Sequence, residues 1–309
     1  MLLNSKIIIL SVGNSLEVWK NNLFPTLFPF FIISNLLISY GFIEILANIF
    51  NTPIKHLFKC SPNSSFIILM SMISGIPSNA KYIKDLLSEN KISLKEANKL
   101  ILFTHFSNPL FILGTIGNIY LNNYKLGIFV LISHYVTNLI LGIILRIKDT
   151  SREEKEKNLM LNNLKENNNF GKVLSKSLNT SIDTILLILG VITFFNILTT
   201  IISKSLNIKN LLIKSIITSI FEMTSGLNLL RLTNISLRLK TILMTMIISF
   251  GGLSTHMQVI SILDNKKIRY FPYLIFRIIH ALLSGIICFI LVYNNTFLSY
   301  LNYSIAIMS

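Results

Sequence analysis

Charge is what this sequence has least of. Only 13% of its 309 residues are Asp, Glu, Lys or Arg, against about a quarter in ordinary soluble domains, and 13 of them are acidic. That deficit excludes a chain built to face water on all sides. Cysteine occurs twice. Cys60 and Cys288 stand far apart with no partner motif, so the sequence offers neither a disulfide framework nor a cysteine metal site. Catalytic motifs are missing too: there is no His-Glu-x-x-His, P-loop, Gly-x-Ser-x-Gly, dinucleotide fingerprint or paired-cysteine motif. The sequence reads as a non-enzyme without a cofactor or metal.

What is present is apolar and arranged in blocks. Hydrophobic residues make up 52% of the chain and its mean hydropathy is +0.64. A helix crossing a ~30 Å hydrocarbon layer needs about 20 apolar residues, and several blocks reach that length. The fold class expected is an all-α polytopic membrane protein in a lipid bilayer. The net charge of +15 does not point to nucleic acid. The basic residues lie at the ends of apolar segments, where they orient a membrane protein, and form no stripe interleaved with aromatics.

Reading along the chain gives an N-terminal helix near 3–19, a long apolar stretch 23–50, and a polar loop 51–64. A run from Phe66 to Ile76 is too short to span. Residues 81–99 are charged and amphipathic, and spans follow near 100–119 and 125–146. The charged, Asn-rich segment after them is the one clear hydrophilic linker. Further runs lie at 178–203, 211–230, 239–263 and 270–293. The expected division is an N-terminal membrane repeat 1–146, a cytoplasmic linker 147–176, a C-terminal membrane repeat 177–293 and a tail 294–309.

The two halves share motifs in the same order, about 145–150 residues apart. Short runs carry Ser74-Gly75 and Ser225-Gly226. The next span is interrupted by Ser107-Asn108-Pro109 in one half and by Gly251-Gly252 in the other. The last spans carry His134 and His280, each followed by small residues. If the short runs are re-entrant hairpins, each half has three full spans and the second is inverted, a recurrent transporter design. Lys204, Lys209, Lys214, Arg231, Arg238 and Lys240 fit that orientation poorly. A competing arrangement makes 211–230 a full span and loses the inversion.

Non-helical backbone at membrane depth survives only where protein or a water-filled cavity satisfies it. The interruptions are therefore the candidate solute site: Ser74, Gly75, Pro77, Ser78, Asn79 and Lys81 at the first hairpin, and Ser107, Asn108 and Pro109 at the first broken span. The second half adds Glu222, Thr224, Ser225, Gly226, Gly251, Gly252, His256 and Gln258. Glu222 is a carboxylate inside an apolar run, expensive unless it has a task or a partner. It could hold a coupling cation or proton, or pair with Arg277 or Lys81. Lys81 could attract an anion, though snorkelling to the interface is the plainer reading. Arg277 and His280 share a helix face and read as pairing within the protein, while His105 and His134 read as satisfied core histidines.

Phe24-Pro25-Thr-Leu-Phe-Pro29, Ser74-Gly-Ile-Pro-Ser-Asn-Ala-Lys81, Ser107-Asn-Pro-Leu-Phe111, His134-Tyr-Val-Thr-Asn138 and Phe250-Gly-Gly-Leu253 with Gln258 together resemble the YlbJ-type sporulation integral membrane proteins, which carry the Gate or nucleoside-recognition membrane domain. The resemblance runs over nearly the whole chain. Ser78-Asn79 stands where the family more often has Ala-Gly, and Ser254-Thr255 replaces a bulkier pair. It implies a protein of the outer forespore membrane, made in the mother cell, needed for the spore cortex and passing the anion dipicolinate. Partners implied are that small anionic solute, a coupling ion or proton, and other sporulation membrane proteins. The other function classes left open are a non-transporting scaffold for spore-envelope assembly and, less favoured, an intramembrane enzyme.

Overall fold

The computed structural model describes residues 5–147, 169–205, 208–264 and 268–294. Most of the expected linker (148–168), Lys266 and Lys267, and the tail after Asn294 lie outside the described residues. The described chain is helical, with no strand among those residues.

The first half runs α1 (Ser5–Val18), a π turn (Trp19–Leu23), α2 (Phe24–Ser39), α3 (Phe42–Phe58), α4 (Ser64–Ser74), α5 (Ser78–Ser88) and α6 (Leu94–Phe103). A π-helical segment (Phe111–Tyr120) and α7 (Tyr124–Ile147) complete it. The second half runs α8 (Phe170–Ser205), α9 (Leu211–Phe221), α10 (Met223–Arg231), α11 (Leu237–Phe250), α12 (Gly252–Leu263) and α13 (Tyr270–Tyr293). After α3 and after α8 the elements come in the same order: two short helices, a broken helix, then one long helix.

Four boundaries differ from the sequence reading. The apolar stretch 23–50 is two helices, because Tyr40-Gly41 turns the chain with Gly41 at φ 79°. Helix α3 continues through Pro53 to Phe58, into the expected polar loop, and Lys59 ends it in a left-handed conformation. The charged segment 81–99 forms most of α5 and the start of α6. Its apolar positions Tyr82, Ile83 and Leu86 are fully buried. Ser93 caps α6 by accepting from the Glu96 N–H, while the Glu96 carboxylate accepts from Ser61 N–H and Ser64 Oγ at the foot of α4, both at 2.5 Å. Finally, α8 begins at Phe170, inside the segment read as linker.

Among the described residues four stretches are long and apolar enough to cross a membrane: Tyr124–Arg146, Phe170–Ser205, Leu237–Leu263 and Tyr270–Tyr293. Helix α13 shows the lateral order. Ile275, Ile278, Leu282, Ile286, Phe289 and Ile290 are exposed, while Arg277, His280, Ser284 and Cys288 are fully buried. Apolar outside and polar inside is the reverse of a soluble amphipathic helix. It is stable only where the solvent is hydrocarbon. The chain is an integral, multi-pass membrane protein.

Helix contacts inside the bundle use small residues, as expected where lipid removes the hydrophobic drive between helices. Gly117 of the π segment meets Gly127 of α7 so closely that a methyl on Gly127 would lie 2.8 Å from the Gly117 Cα.

Candidate functional site

Helices α4 and α5 form a hairpin folded at Gly75-Ile76-Pro77. Phe66 and Tyr82, on opposite arms, meet edge to face with centroids 5.6 Å apart, and Tyr82 OH donates to Ser74 Oγ at 2.9 Å. Gly75 sits at φ 81°, ψ −171°, a region essentially confined to glycine. In the second half α9 and α10 fold back at Glu222, and a methyl on Gly226 would fall 2.5 Å from the Ser219 Cα. The fold point is thus three residues ahead of Ser225-Gly226, which lie in the first turn of α10.

The two broken helices are interrupted where expected. Thr104–Asn108 is non-helical between α6 and the segment entered through Pro109, and a single residue, Gly251 at φ 89°, separates α11 from α12.

These four interruptions touch in series. A methyl on Gly75 would lie 2.5 Å from the Asn108 nitrogen, which sets the first hairpin tip on the first break. One on Gly251 would lie 2.9 Å from His105 Nε2, which sets the first break on the second. One on Gly252 would lie 2.9 Å from the Ser219 carbonyl oxygen and 3.1 Å from the Met223 nitrogen, which sets the second break on the second hairpin tip.

Helix α7 satisfies the backbone that the first break leaves unpaired. The Ser107 N–H donates to His134 Nε2 at 2.9 Å, Asn138 Nδ2 donates to the His105 carbonyl at 2.7 Å, and Tyr135 OH lies 3.0 Å from the Ser107 carbonyl and 2.5 Å from that of Met72. This explains the run His134-Tyr-Val-Thr-Asn138: its polar residues are the accounting for non-helical backbone at membrane depth. Asn108 uses Oδ1 to cap its own segment, accepting from Leu110 N–H at 2.7 Å, and its Nδ2 reaches the Ser74 carbonyl at 3.4 Å.

Glu222 is 4% exposed and caps α10. Its carboxylate accepts from the N–H and hydroxyl of Thr224 and, at 2.6 Å, from the Ser225 N–H. Among the described residues it forms no ion pair with Arg277 or Lys81, the partners weighed from sequence. Ser225 Oγ continues to Asn196 Oδ1 on α8 at 2.9 Å. Lys81 does not snorkel. It is 4% exposed, donates to Asn35 Oδ1 at 2.5 Å and pairs with Asp85 at 2.7 Å. His256 bonds the Phe250 carbonyl at 2.8 Å, beside the second break, and meets Tyr273 edge to face with ring centroids 5.1 Å apart. Gln258 is buried on α12 and donates to Ser254 at 3.3 Å.

A polar cluster fills the bundle between the breaks. Tyr273 OH lies 3.0 Å from His105 Nδ1, and the His134 and His280 rings have centroids 4.7 Å apart. Arg277 is fully buried, donates to His280 Nδ1 at 3.0 Å and to the Leu102 carbonyl, and holds its guanidinium 5.5 Å from the Tyr273 ring centre. Among the described residues no carboxylate lies within ion-pair distance of it. Burying such a cation costs several kcal/mol unless something offsets the charge. Asn79 Oδ1, His105 Nε2, Ser107 Oγ, Asn138 Oδ1, Thr218 Oγ1 and Arg277 Nε are buried without a hydrogen-bond partner among the described residues. Each such atom costs about 1–3 kcal/mol.

No family model and no solved structure matches the chain. It is 29% identical over 307 residues to the sporulation integral membrane protein YlbJ of Bacillus subtilis strain 168, covering 89% of this chain and 75% of that protein. The chain is thus similar to a sporulation integral membrane protein over most of its length. This agrees with the resemblance carried by its motifs.

Arg277 and His280 pair within the protein as the sequence suggests, and the structure gathers them with His105, His134 and Tyr273 into one buried cluster, which sequence reading did not assemble. The chain has five histidines, and four of them, His105, His134, His256 and His280, are fully buried. An arginine inside an apolar 24-residue helix was the available signal, because intramembrane charge marks function by default.

Proposed function

We propose that the protein carries a small anionic solute across the bilayer, with the four touching interruptions as its site. The observation that carries this reading is the series Gly75–Asn108, His105–Gly251, Gly252–Ser219. Two short hairpins and two broken helices have no need to meet at their weak points unless those points work together. In a transporter they do, because unwound backbone and helix ends bind the solute there. The N-termini of α5 and α12 enter the junction with no side-chain cap, and the positive dipole end of a helix favours an anion. The unpartnered atoms of Asn79, Ser107 and Thr218 are the donors and acceptors a polar solute would meet.

In this reading the two membrane repeats are inverted, and the Gate-like halves rock against each other around the junction. The name of the Bacillus subtilis relative sets the setting as sporulation. With the motif resemblance it gives dipicolinate as the solute, the outer forespore membrane as the location and cortex formation as the consequence.

The test is flux of labelled dipicolinate into proteoliposomes made with wild type, Asn108→Ala and Glu222→Gln. Wild type is expected to take up dipicolinate above protein-free vesicles, and both variants to be slower. An absence of flux, with normal spores from both variants in cells, would sink the transport reading and favour a scaffold.

A further inference from the structure

We propose that Arg277 is the charge that receives a carboxylate of the carried solute, with His105 Nε2 as a neighbouring hydrogen-bonding group. This rests on the transport reading above and names the solute-binding group within it.

The charge accounting comes first. A guanidinium is always charged and has five N–H donors and no acceptor. In Arg277, Nη1 donates to His280 Nδ1, Nη2 donates to the Leu102 carbonyl, and Nε has no partner. Neither acceptor carries a formal charge. Leu102 belongs to the last turn of α6, whose carbonyl end supplies at most about half a negative charge. The buried carboxylate of Glu222 is engaged by Thr224 and Ser225, and Asp85 is engaged by Lys81. The described bundle therefore leaves a positive charge unbalanced in its centre.

The surrounding histidines hold that charge in place without adding an anion. Arg277 can only donate, so His280 Nδ1 accepts and its Nε2–H donates to the His134 carbonyl at 3.0 Å. His134 Nε2 accepts from the Ser107 N–H, so its Nδ1–H faces Ser249 Oγ at 2.9 Å, and Ser284 donates to that same oxygen at 2.8 Å. The guanidinium is thus tied, through two imidazoles, to the backbone of the first break. His105 joins the same cluster through Tyr273, and its free Nε2 lies against Gly251 at the second break.

The ligand class follows from the donor geometry. A planar fork walled by Tyr273 and imidazole rings suits a planar oxyanion, and a carboxylate is the group whose two oxygens match a guanidinium edge. A lysine would offer a point charge without that edge.

The experiment uses the full chain in nanodiscs, with benzoate as the probe and benzamide as its uncharged near-isostere. Benzoate is expected to raise the unfolding temperature of wild type in a saturable way, and benzamide to leave it unchanged. Arg277→Gln should weaken benzoate at least tenfold, Arg277→Lys by less, and His105→Phe severalfold. Equal stabilisation by benzoate and benzamide, or none by either, overturns the proposal even if no Arg277 variant folds. So does unchanged benzoate affinity in folded Arg277→Gln. Dipicolinate flux separates the two readings. Flux that survives in folded Arg277→Gln overturns this site and leaves transport standing. Arg277-dependent benzoate binding with no flux overturns transport and leaves the site standing.

Discussion

His280 on α13 donates its Nε2–H to the backbone carbonyl of His134 on α7, 146 residues earlier, and the two rings lie 4.7 Å apart. The two residues occupy the same place in the two repeated motifs. The pair joins α7 to α13 between the first break and the buried Arg277.

Replacing His134 with Phe keeps the volume and removes both ring nitrogens. The Ser107 N–H and the Ser249 hydroxyl then lose a buried partner. The expected loss is about 1–3 kcal/mol for the stranded Ser107 N–H, since Ser249 Oγ keeps the Ser284 hydroxyl, and it is read as a lower thermal midpoint in detergent. An unchanged midpoint would mean that the first break repairs itself.

Gly75→Ala places a methyl 2.5 Å from the Asn108 nitrogen at a glycine-only backbone angle. Strain alone costs about 1–3 kcal/mol, and the hairpin tip must also leave the first break, so stability and flux should fall together. Gly190→Ala is the control: it lies within α8 with nothing within 4 Å of the new methyl, and alanine there should be neutral or stabilise by up to ~1 kcal/mol.

Gly226→Ala should open the second hairpin, and Ser219→Ala should not rescue it. Removing the Ser219 hydroxyl clears one clash, but the Ser219 Cα and nitrogen remain 2.5 and 2.6 Å from the added methyl. Proteolysis of the α9–α10 turn in the single and double variants measures this. Rescue by Ser219→Ala would show that the arms are held apart by that side chain alone.

Lys81 and Asp85 should respond unequally. Lys81 is 5% exposed at its side chain and Asp85 29%. Asp85→Asn strands a buried ammonium, at a cost of about 3 kcal/mol or more. Lys81→Met leaves a carboxylate that water can reach, and should cost less. Thermal unfolding of the two single variants gives the order, and the reverse order would contradict the burial of Lys81.

Much of this architecture was legible in one dimension. The scarcity of charge and the length of the apolar runs gave the membrane class, and Pro109 and Gly251 gave two breaks because each disrupts a helix by its own backbone chemistry. In the second short run the sequence marks Ser225-Gly226, since a glycine is a visible punctuation mark. The actual fold point is Glu222, whose side chain caps the following helix, a role that depends on a conformation sequence does not display. Lys81 was read as snorkelling because hydropathy assigns no partner, and only packing brought Asn35 to it from 46 residues away.

By itself, then, the sequence determined the solvent this protein lives in, the helical class, and the approximate places where its helices break. Those properties are local: they depend on run length, side-chain polarity and the backbone limits of proline and glycine. Tertiary structure alone decided that the four breaks touch in series, that α7 supplies the first break's missing hydrogen bonds, and that Arg277 is buried with no carboxylate within ion-pair distance among the described residues. Those are contacts between residues far apart in the chain, set by which polar atoms the folded bundle leaves within reach of one another.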